Sequence, residues 1–332
     1  MREAMAHAKV GDEQAREDPT VIALEEAAAA FVGQPEAVYL PTATMANEIA
    51  LVLLGERGST LLAEETAHVL IYELGGPALH AGLLTRPLPG SAGRLTPEQI
   101  RASVGPTGVV HSPRASVLTI ENSHNSAGGT AWPYEELASV VAAARELDVR
   151  VHLDGARLPN AALAIARPAA EIGVLFDTVT LCLSKGLGCP LGAILAGSRQ
   201  LMARARVEKH RFGGAMRQAG IVAAAGLYAL EHNVERLAED HARARRLAQG
   251  WKAAGLTIDL ARVQTNFVQI DIRDLGLTTP EALARTAEAG VLLSATVRPG
   301  VIRALTHLDV DDSDIDEAIA LVPRALGVHA TV

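Results

Sequence analysis

No apolar run in the sequence is long enough to cross a bilayer. The longest, such as Ile49–Leu54, stop at glycine or a charge, which argues against a membrane-spanning helix. Met1–Gln14 mixes alanine with charged groups and has no apolar centre, so no secretory signal is expected there. Cysteine is scarce: Cys182 and Cys189 are the only two. They are too few for a disulfide framework or a structural zinc site, and are expected to be small buried apolar residues. Basic tracts are also missing. The net charge of −8 is spread along helix faces, so neither nucleic acid nor an anionic membrane surface is expected as a partner. The 11 histidines include no His-Glu-x-x-His pattern, which leaves little support for a metallohydrolase. A cytoplasmic enzyme fits all of these absences.

What is present is an ordinary globular balance. The 332 residues are 49% hydrophobic and 20% charged, enough for a large core and two domains. Short β-rich runs alternate with amphipathic, alanine-rich stretches. Strands are expected at Ala37–Leu40, Ser116–Glu121, Arg150–Asp154, Asp177–Leu183 and Gly192–Gly197. Helices are expected at Thr20–Val32, Thr44–Leu54, Tyr134–Glu146 and Met216–Glu231. The alternation predicts an α/β fold with a mostly parallel sheet between helices. A long helical pattern, Glu231–Ala254, leads to a smaller αβ pattern: strand Asn266–Ile272, helix Pro280–Ala289, strand Ile302–Leu305 and helix Asp314–Leu326. Pro323 is expected to kink or shorten the last helix. The chain thus divides into a large domain, residues 1–235, and a small C-terminal domain, residues 236–332.

Several segments place reactive groups at strand ends. In Leu183-Ser184-Lys185-Gly186-Leu187-Gly188 a lysine follows an apolar strand inside a glycine-containing turn. A lysine desolvated there can lose its proton and attack a carbonyl, although an exposed loop lysine reads as well from these residues alone. Val151-His152-Leu153-Asp154 ends a strand in a carboxylate, where open α/β sheets bind ligands. Asp154 can pair with a cationic ring nitrogen or simply cap a helix. At Leu40–Asn47 a strand turns through small and hydroxyl residues into a helix, whose free N–H groups suit a phosphate. The turn lacks the glycine spacing of a nucleotide-binding loop, and Thr42 is equally readable as a simple N-cap. His68, in Ala67–Gly76, and His124, in Glu121–Gly129, are each more often structural when met alone.

Taken in order, these segments resemble the L-threonine aldolase family, within the β-eliminating lyase group and the fold-type-I enzymes dependent on pyridoxal 5′-phosphate (PLP). The resemblance runs from Val10 to His307. It rests on Gly11-Asp12 with Glu17–Thr20, Pro41–Asn47, Ala67–Gly76, Glu121–Gly129, Leu153–Leu158, Leu183–Gly188, Gly213–Gln218, Thr265-Asn266 and Arg303–His307. It implies retro-aldol cleavage of β-hydroxy-α-amino acids to glycine and an aldehyde. Lys185 would carry the cofactor through a Schiff base, Asp154 would pair with its ring nitrogen and His68 would stack on its face. Thr42, Ala43 and Thr44 would hold the phosphate. Arg157 and Arg303 would bind the substrate carboxylate, Arg being shaped for bidentate contact. His124 would lie near the β-hydroxyl; His124, His68 or an ordered water would serve as base. Arg217 and His210 would reach the cofactor region, including that of a neighbouring subunit, in a homodimer or homotetramer with active sites at the dimer interface.

The sequence departs from the family pattern in places. An Arg-Ser-Asp segment usual before the first helix is not seen. Gln14-Ala15-Arg16 replaces a stretch that usually holds Tyr and Gly, and His210 stands where Lys is frequent. Ala43 and Ala215 stand where glycine is usual, which would be strained if either position needs a positive φ. Another PLP reaction on the same frame, β-elimination or racemisation, and a PLP-binding relative without turnover are the alternatives.

Overall fold

The computed structural model describes residues 1–328. Ten strands form two sheets among them. The first seven are β1 (Glu36–Leu40), β2 (Thr60–Glu64), β3 (Leu84–Leu88), β4 (Ala115–Glu121), β5 (Arg150–Gly155), β6 (Thr178–Cys182) and β7 (Ala193–Gly197). They make one sheet in the order β1-β7-β6-β5-β4-β2-β3. Only β7 runs against the others, pairing antiparallel with both β6 and β1. β2, β4, β6 and β7 are buried along their whole length, as strands covered by helices on both faces must be.

Period-two alternation sorts these strands into two cores. On β1, Ala37 and Tyr39 join a cluster with Leu24, Leu153 and Ile194, while Val38 and Leu40 join one with Ile49, Leu61 and Leu195. The covering helices start where their caps dictate. Asp18 accepts hydrogen bonds from the amides of Thr20 and Val21 and begins Pro19–Phe31; Thr42 accepts one from Met45 and begins Ala43–Leu54.

The second sheet has β8 (Phe267–Asp271), β9 (Ser294–Ala295) and β10 (Val301–Leu305), all antiparallel with β10 central. Val268, Ile270, Ile302 and Ala304 face its own core, closed by Trp251 and Val322 from helices Leu237–Ala253 and Asp312–Ala325. The opposite face carries Phe267, Gln269 and Arg303 towards the first sheet. Gly129, at φ +74°, lets the loop after β4 press onto this face: a Cβ there would fall 2.3 Å from Thr265 Oγ1.

Every strand expected from sequence is present within one or two residues of its ends, as is the α/β class with a mostly parallel sheet. Four expectations need correction. β2 and β3 were not anticipated, nor was the helix Arg199–Arg211. The helical pattern from Met216 does not run unbroken: one helix spans Gly220–His232 and a turn separates it from Leu237–Ala253. The last helix passes through Pro323 and ends two residues later at Ala325, so the proline costs it only the bond to the Ile319 carbonyl in its final turn.

Candidate active site

The carboxyl ends of β4, β5 and β6 converge, and most of the residues expected to carry chemistry lie there. Asp154, at the end of β5, is 2% exposed. One of its oxygens accepts the Ala156 amide at 3.1 Å and the other accepts Asn47 Nδ2 at 2.9 Å. The expected helix cap at Asp154 is not made: the next helix, Leu158–Ala164, has Arg157 as its N-cap without a side-chain bond, and Asp154 accepts the Ala156 amide within the turn while remaining a buried carboxylate. Lys185 follows β6, the neighbour of β5, and is half-buried. Among the described residues it pairs with no carboxylate, whereas the buried Lys209 is held by Glu13. The loop after Lys185 is tied to the Leu40–Asn47 turn by Gly192 N–H donating to Pro41 C=O at 3.0 Å.

That turn opens the helix Ala43–Leu54. Thr42 Oγ1 satisfies Met45, and the Ala43 and Thr44 amides, in the first turn, have no intrahelical acceptor. Ala43 and Ala215 both avoid the positive-φ region, so neither replacement of glycine is strained.

A hydrogen-bond chain runs beneath the site. Thr178 Oγ1 lies 2.8 Å from His152 Nδ1, and His152 Nε2 lies 3.1 Å from Asn47 Oδ1. Since an amide oxygen only accepts, Nε2 carries the proton and Nδ1 receives the threonine hydroxyl. Burial pushes His152 down to about 4, which keeps it neutral. Asn47 Nδ2 then donates both to Asp154 and to Glu73 Oε1, at 2.8 Å from the latter. His68 Nδ1 also reaches Glu73 Oε1 at 2.8 Å, while its main-chain N–H donates to Glu121. One atom each of His68, Glu73 and Asp154 lies within 4.8 Å of the other two. Burial depresses His68, but the Glu73 contact and the charges of Asp154, Glu73 and Glu121 outweigh it and leave the imidazole above its ordinary range.

His124 is placed differently. It is 1% exposed, its Nδ1 accepts the Ala127 amide at 3.3 Å, and its Nε2 stands 3.1 Å from Glu64 without hydrogen-bond alignment. Burial lowers its basicity, yet Glu121, Glu64 and Asp154 raise it overall. Nδ1 is thus committed within the fold, while Nε2 is sealed among carboxylates without an aligned hydrogen bond.

Arg157, just after β5, and Arg303, on β10, meet at Asn125. Their Nη1 atoms are 3.5 and 2.7 Å from its Oδ1, and both guanidinium groups lie over Phe267, at 4.7 and 5.6 Å from the ring centroid. Among the described residues neither has a carboxylate partner within 4.0 Å. Burial pulls both below the usual arginine range, and for Arg157 the neighbouring Arg303 adds to it. Two adjacent cations without counter-ion make a seat for a small carboxylate.

Arg217 does not join this group within the chain. It is exposed and bonds Asp12 at 2.6 Å; His210 is exposed as well. Sequence reasoning gave no role to Asn47, Glu73, Glu121, Asn125 or Phe267. Asn47 and Glu48 carried a signal, as polar residues inside the otherwise apolar helix segment Ala46–Leu54; nothing local marked Asn125 as the meeting point of two arginines.

Comparisons with known proteins show the family to which the chain belongs. The family model for β-eliminating lyases matches residues 1–274. The low-specificity L-threonine aldolase of Escherichia coli K12 is 38% identical over 322 residues, covering 96% of this chain and 93% of that one. An alanine racemase of Cochliobolus carbonum is 32% identical over 321 residues, 94% of this chain and 80% of its own. The crystal structure of a threonine aldolase from Leishmania major superposes with a TM-score of 0.83 at 18% identity, over 98% of this chain and 95% of that chain, and so shares the fold. With the family model over most of its length and an aldolase relative along nearly all of it, this chain belongs to the low-specificity L-threonine aldolase family of β-eliminating lyases.

Proposed function

We propose that this protein is a PLP-dependent aldehyde-lyase that cleaves L-threonine, L-allo-threonine and related β-hydroxy-α-amino acids to glycine and an aldehyde. The observation that carries the proposal is the combination, around the carboxyl ends of β4–β6, of a buried anion with a lysine and two arginines that have no bonded carboxylate among the described residues. The residues fit the cofactor: Lys185 for its carbonyl carbon, Asp154 for a protonated ring nitrogen, His68 for the ring face, and the Thr42, Ala43 and Thr44 amides for the phosphate. When bound, PLP supplies an electron sink for the pair left at Cα once the Cα–Cβ bond breaks.

The protein's own groups set the geometry and move the proton. Arg157 and Arg303 hold the substrate carboxylate, and Asn125 holds the two arginines in register. Fixing the carboxylate orients the Cα–Cβ bond for cleavage. His68 Nε2 takes the β-hydroxyl proton. Its Nδ1 is anchored on Glu73, and its side chain is 28% exposed, so Nε2 can exchange a proton with bound substrate. His124 serves better as a support, since it is sealed from solvent, its Nδ1 accepts the Ala127 amide and its Nε2 faces Glu64. Asp154 keeps the ring nitrogen protonated, and Asn47 keeps Asp154 in place.

We also read residues 1–235 and 236–332 as large and small domains, the small one supplying Arg303. A homodimer or homotetramer in the cytoplasm is the proposed setting; no helix among the described residues is long and apolar enough to cross a membrane. Exposed Leu74 and Leu79, 97% and 75% accessible in the segment after His68, support a second copy covering this region. The deciding experiment incubates the protein with PLP and L-threonine and assays glycine and acetaldehyde. Equal release of both, absent in Lys185→Ala, is expected. Racemised alanine or pyruvate from serine, without acetaldehyde from threonine, would replace the aldolase reading with another PLP reaction.

A further inference from the structure

Next to Asn47 on the same helix, Glu48 is buried at 3% exposure and has no basic partner among the described residues. Neither of its oxygens meets a donor, and the same holds for Glu73 Oε2. Glu73 Oε1, by contrast, already accepts from His68 and Asn47. Gly76, whose N–H donates to the Glu73 main-chain carbonyl at 2.8 Å, closes over Glu48 so tightly that a Cβ there would fall 2.1 Å from Glu48 Oε1. Two carboxylates confined together and away from water cannot both stay ionised. A single proton on Glu48, donated to Glu73 Oε2, gives two of the three unpartnered oxygens a hydrogen bond.

We propose that Glu48 is a positioning residue: it holds a proton and donates it to Glu73, so that Glu73 carries one negative charge and keeps His68 Nδ1–H fixed. The role at the active site rests on the aldolase reading above, through His68; the proton-sharing pair itself does not. Around the pair stand His68 on the same segment as Glu73, Glu121 on β4, and Asp154 and His152 on β5, the last two reached through Asn47. Burial and the neighbouring Glu73 charge push Glu48 up to about 9, in keeping with a carboxyl that stays protonated through neutral pH. Asn47 then links this acid pair to Asp154, so the groups serving the ring face and the ring nitrogen share one support.

The test uses the full chain without added substrate. Infrared difference spectra of the wild type against Glu48→Gln should show a protonated-carboxyl C=O stretch at neutral pH that the variant lacks. It should fade as pH rises through about 9. NMR titration of 15N-labelled imidazoles should find His68 lowered by about 1 pH unit in Glu73→Gln, which loses the anion, and nearly unmoved at neutral pH in Glu48→Gln, which keeps a neutral donor. Absence of the carboxyl stretch from the wild type would overturn the proposal, and needs no variant to fold. So would a His68 shift in Glu48→Gln as large as that in Glu73→Gln. Threonine cleavage is measured on the same samples: its absence, with the carboxyl stretch and His68 titration as expected, removes the aldolase reading and leaves the acid pair standing.

Discussion

Two sets of charge within the first sheet's surroundings are built on different plans. Beside β1, Arg206 bonds Glu25 at 3.0 and 2.7 Å, Glu36 at 3.2 Å and the Ala37 carbonyl at 3.1 Å, and Glu25 also accepts the Tyr39 amide. Lys209 is matched to Glu13 in the same manner. At the carboxyl ends of β4–β6, Arg157 and Arg303 share one neutral amide oxygen and Lys185 has no carboxylate. Desolvating a charge costs several kcal/mol unless a partner repays it, so the first set is self-sufficient and the second is arranged around something added. Pairing, more than burial, separates architecture from chemistry in this molecule.

The sharpest way to break that contrast is at Lys185. Lys185→Ala is expected to lower threonine cleavage by about 10³-fold or more while leaving thermal unfolding near that of the wild type. The visible absorbance of PLP held by the protein should vanish with it. Retained activity would mean that the unpaired lysine is only a loop residue.

At the paired set the opposite is expected. Arg206→Ala leaves Glu25 buried without its cation and should cost about 3–5 kcal/mol of stability. Denaturant unfolding reads that loss, while KM and kcat of the folded variant, normalised to titrated active sites, should be preserved. A catalytic defect with intact stability would show that the network communicates with the site.

Arg303→Ala should fall between these. It removes one charged contact to the substrate carboxylate, worth about 2 kcal/mol, so KM for threonine should rise about 30-fold with kcat less affected. Stability should hold or increase, because the variant relieves the repulsion with Arg157. An unchanged KM would take Arg303 out of the carboxylate seat.

A smaller effect concerns pH. His68 must be neutral to accept a proton, and its anionic neighbours hold it above its ordinary range, so activity should fall on the acid side as pH drops through that raised value. Glu73→Gln should move this limb downward by about 1 pH unit. A limb that does not move would assign it to another group.

What the sequence disclosed follows the range of the interactions involved. Lys185, Asp154 and the Thr42 turn were legible because each sits where a strand ends, and strand ends follow from local apolar runs. The parallel core strands were readable for the same reason. β3 was not: its Leu84-Thr85-Arg86-Pro87-Leu88 carries an arginine and a proline, tolerable only on the sheet's edge, and no local pattern announces an edge. Helix Arg199–Arg211 has five Lys or Arg residues among thirteen and reads as a charged surface until Arg206 and Lys209 find their acids in residues 13–36. Asn125 was hidden because its partners lie 32 and 178 residues away.

The smallest expected change lies at Arg217, where the contrast between paired and unpaired charge is least decisive. Its ion pair with Asp12 joins groups 63% and 31% exposed, and such solvent-screened pairs contribute little to stability. Arg217→Ala should therefore leave the unfolding midpoint almost unmoved, and on the evidence of one chain it should leave catalysis alone too. If the active site is completed by a second copy, Arg217 has another partner. The same variant would then weaken PLP retention while unfolding is unchanged, and dilution to monomer would weaken wild-type PLP retention in the same way. Equal PLP affinity in wild type and variant, at concentrations where the oligomer is intact, would confine Arg217 to its surface contact with Asp12.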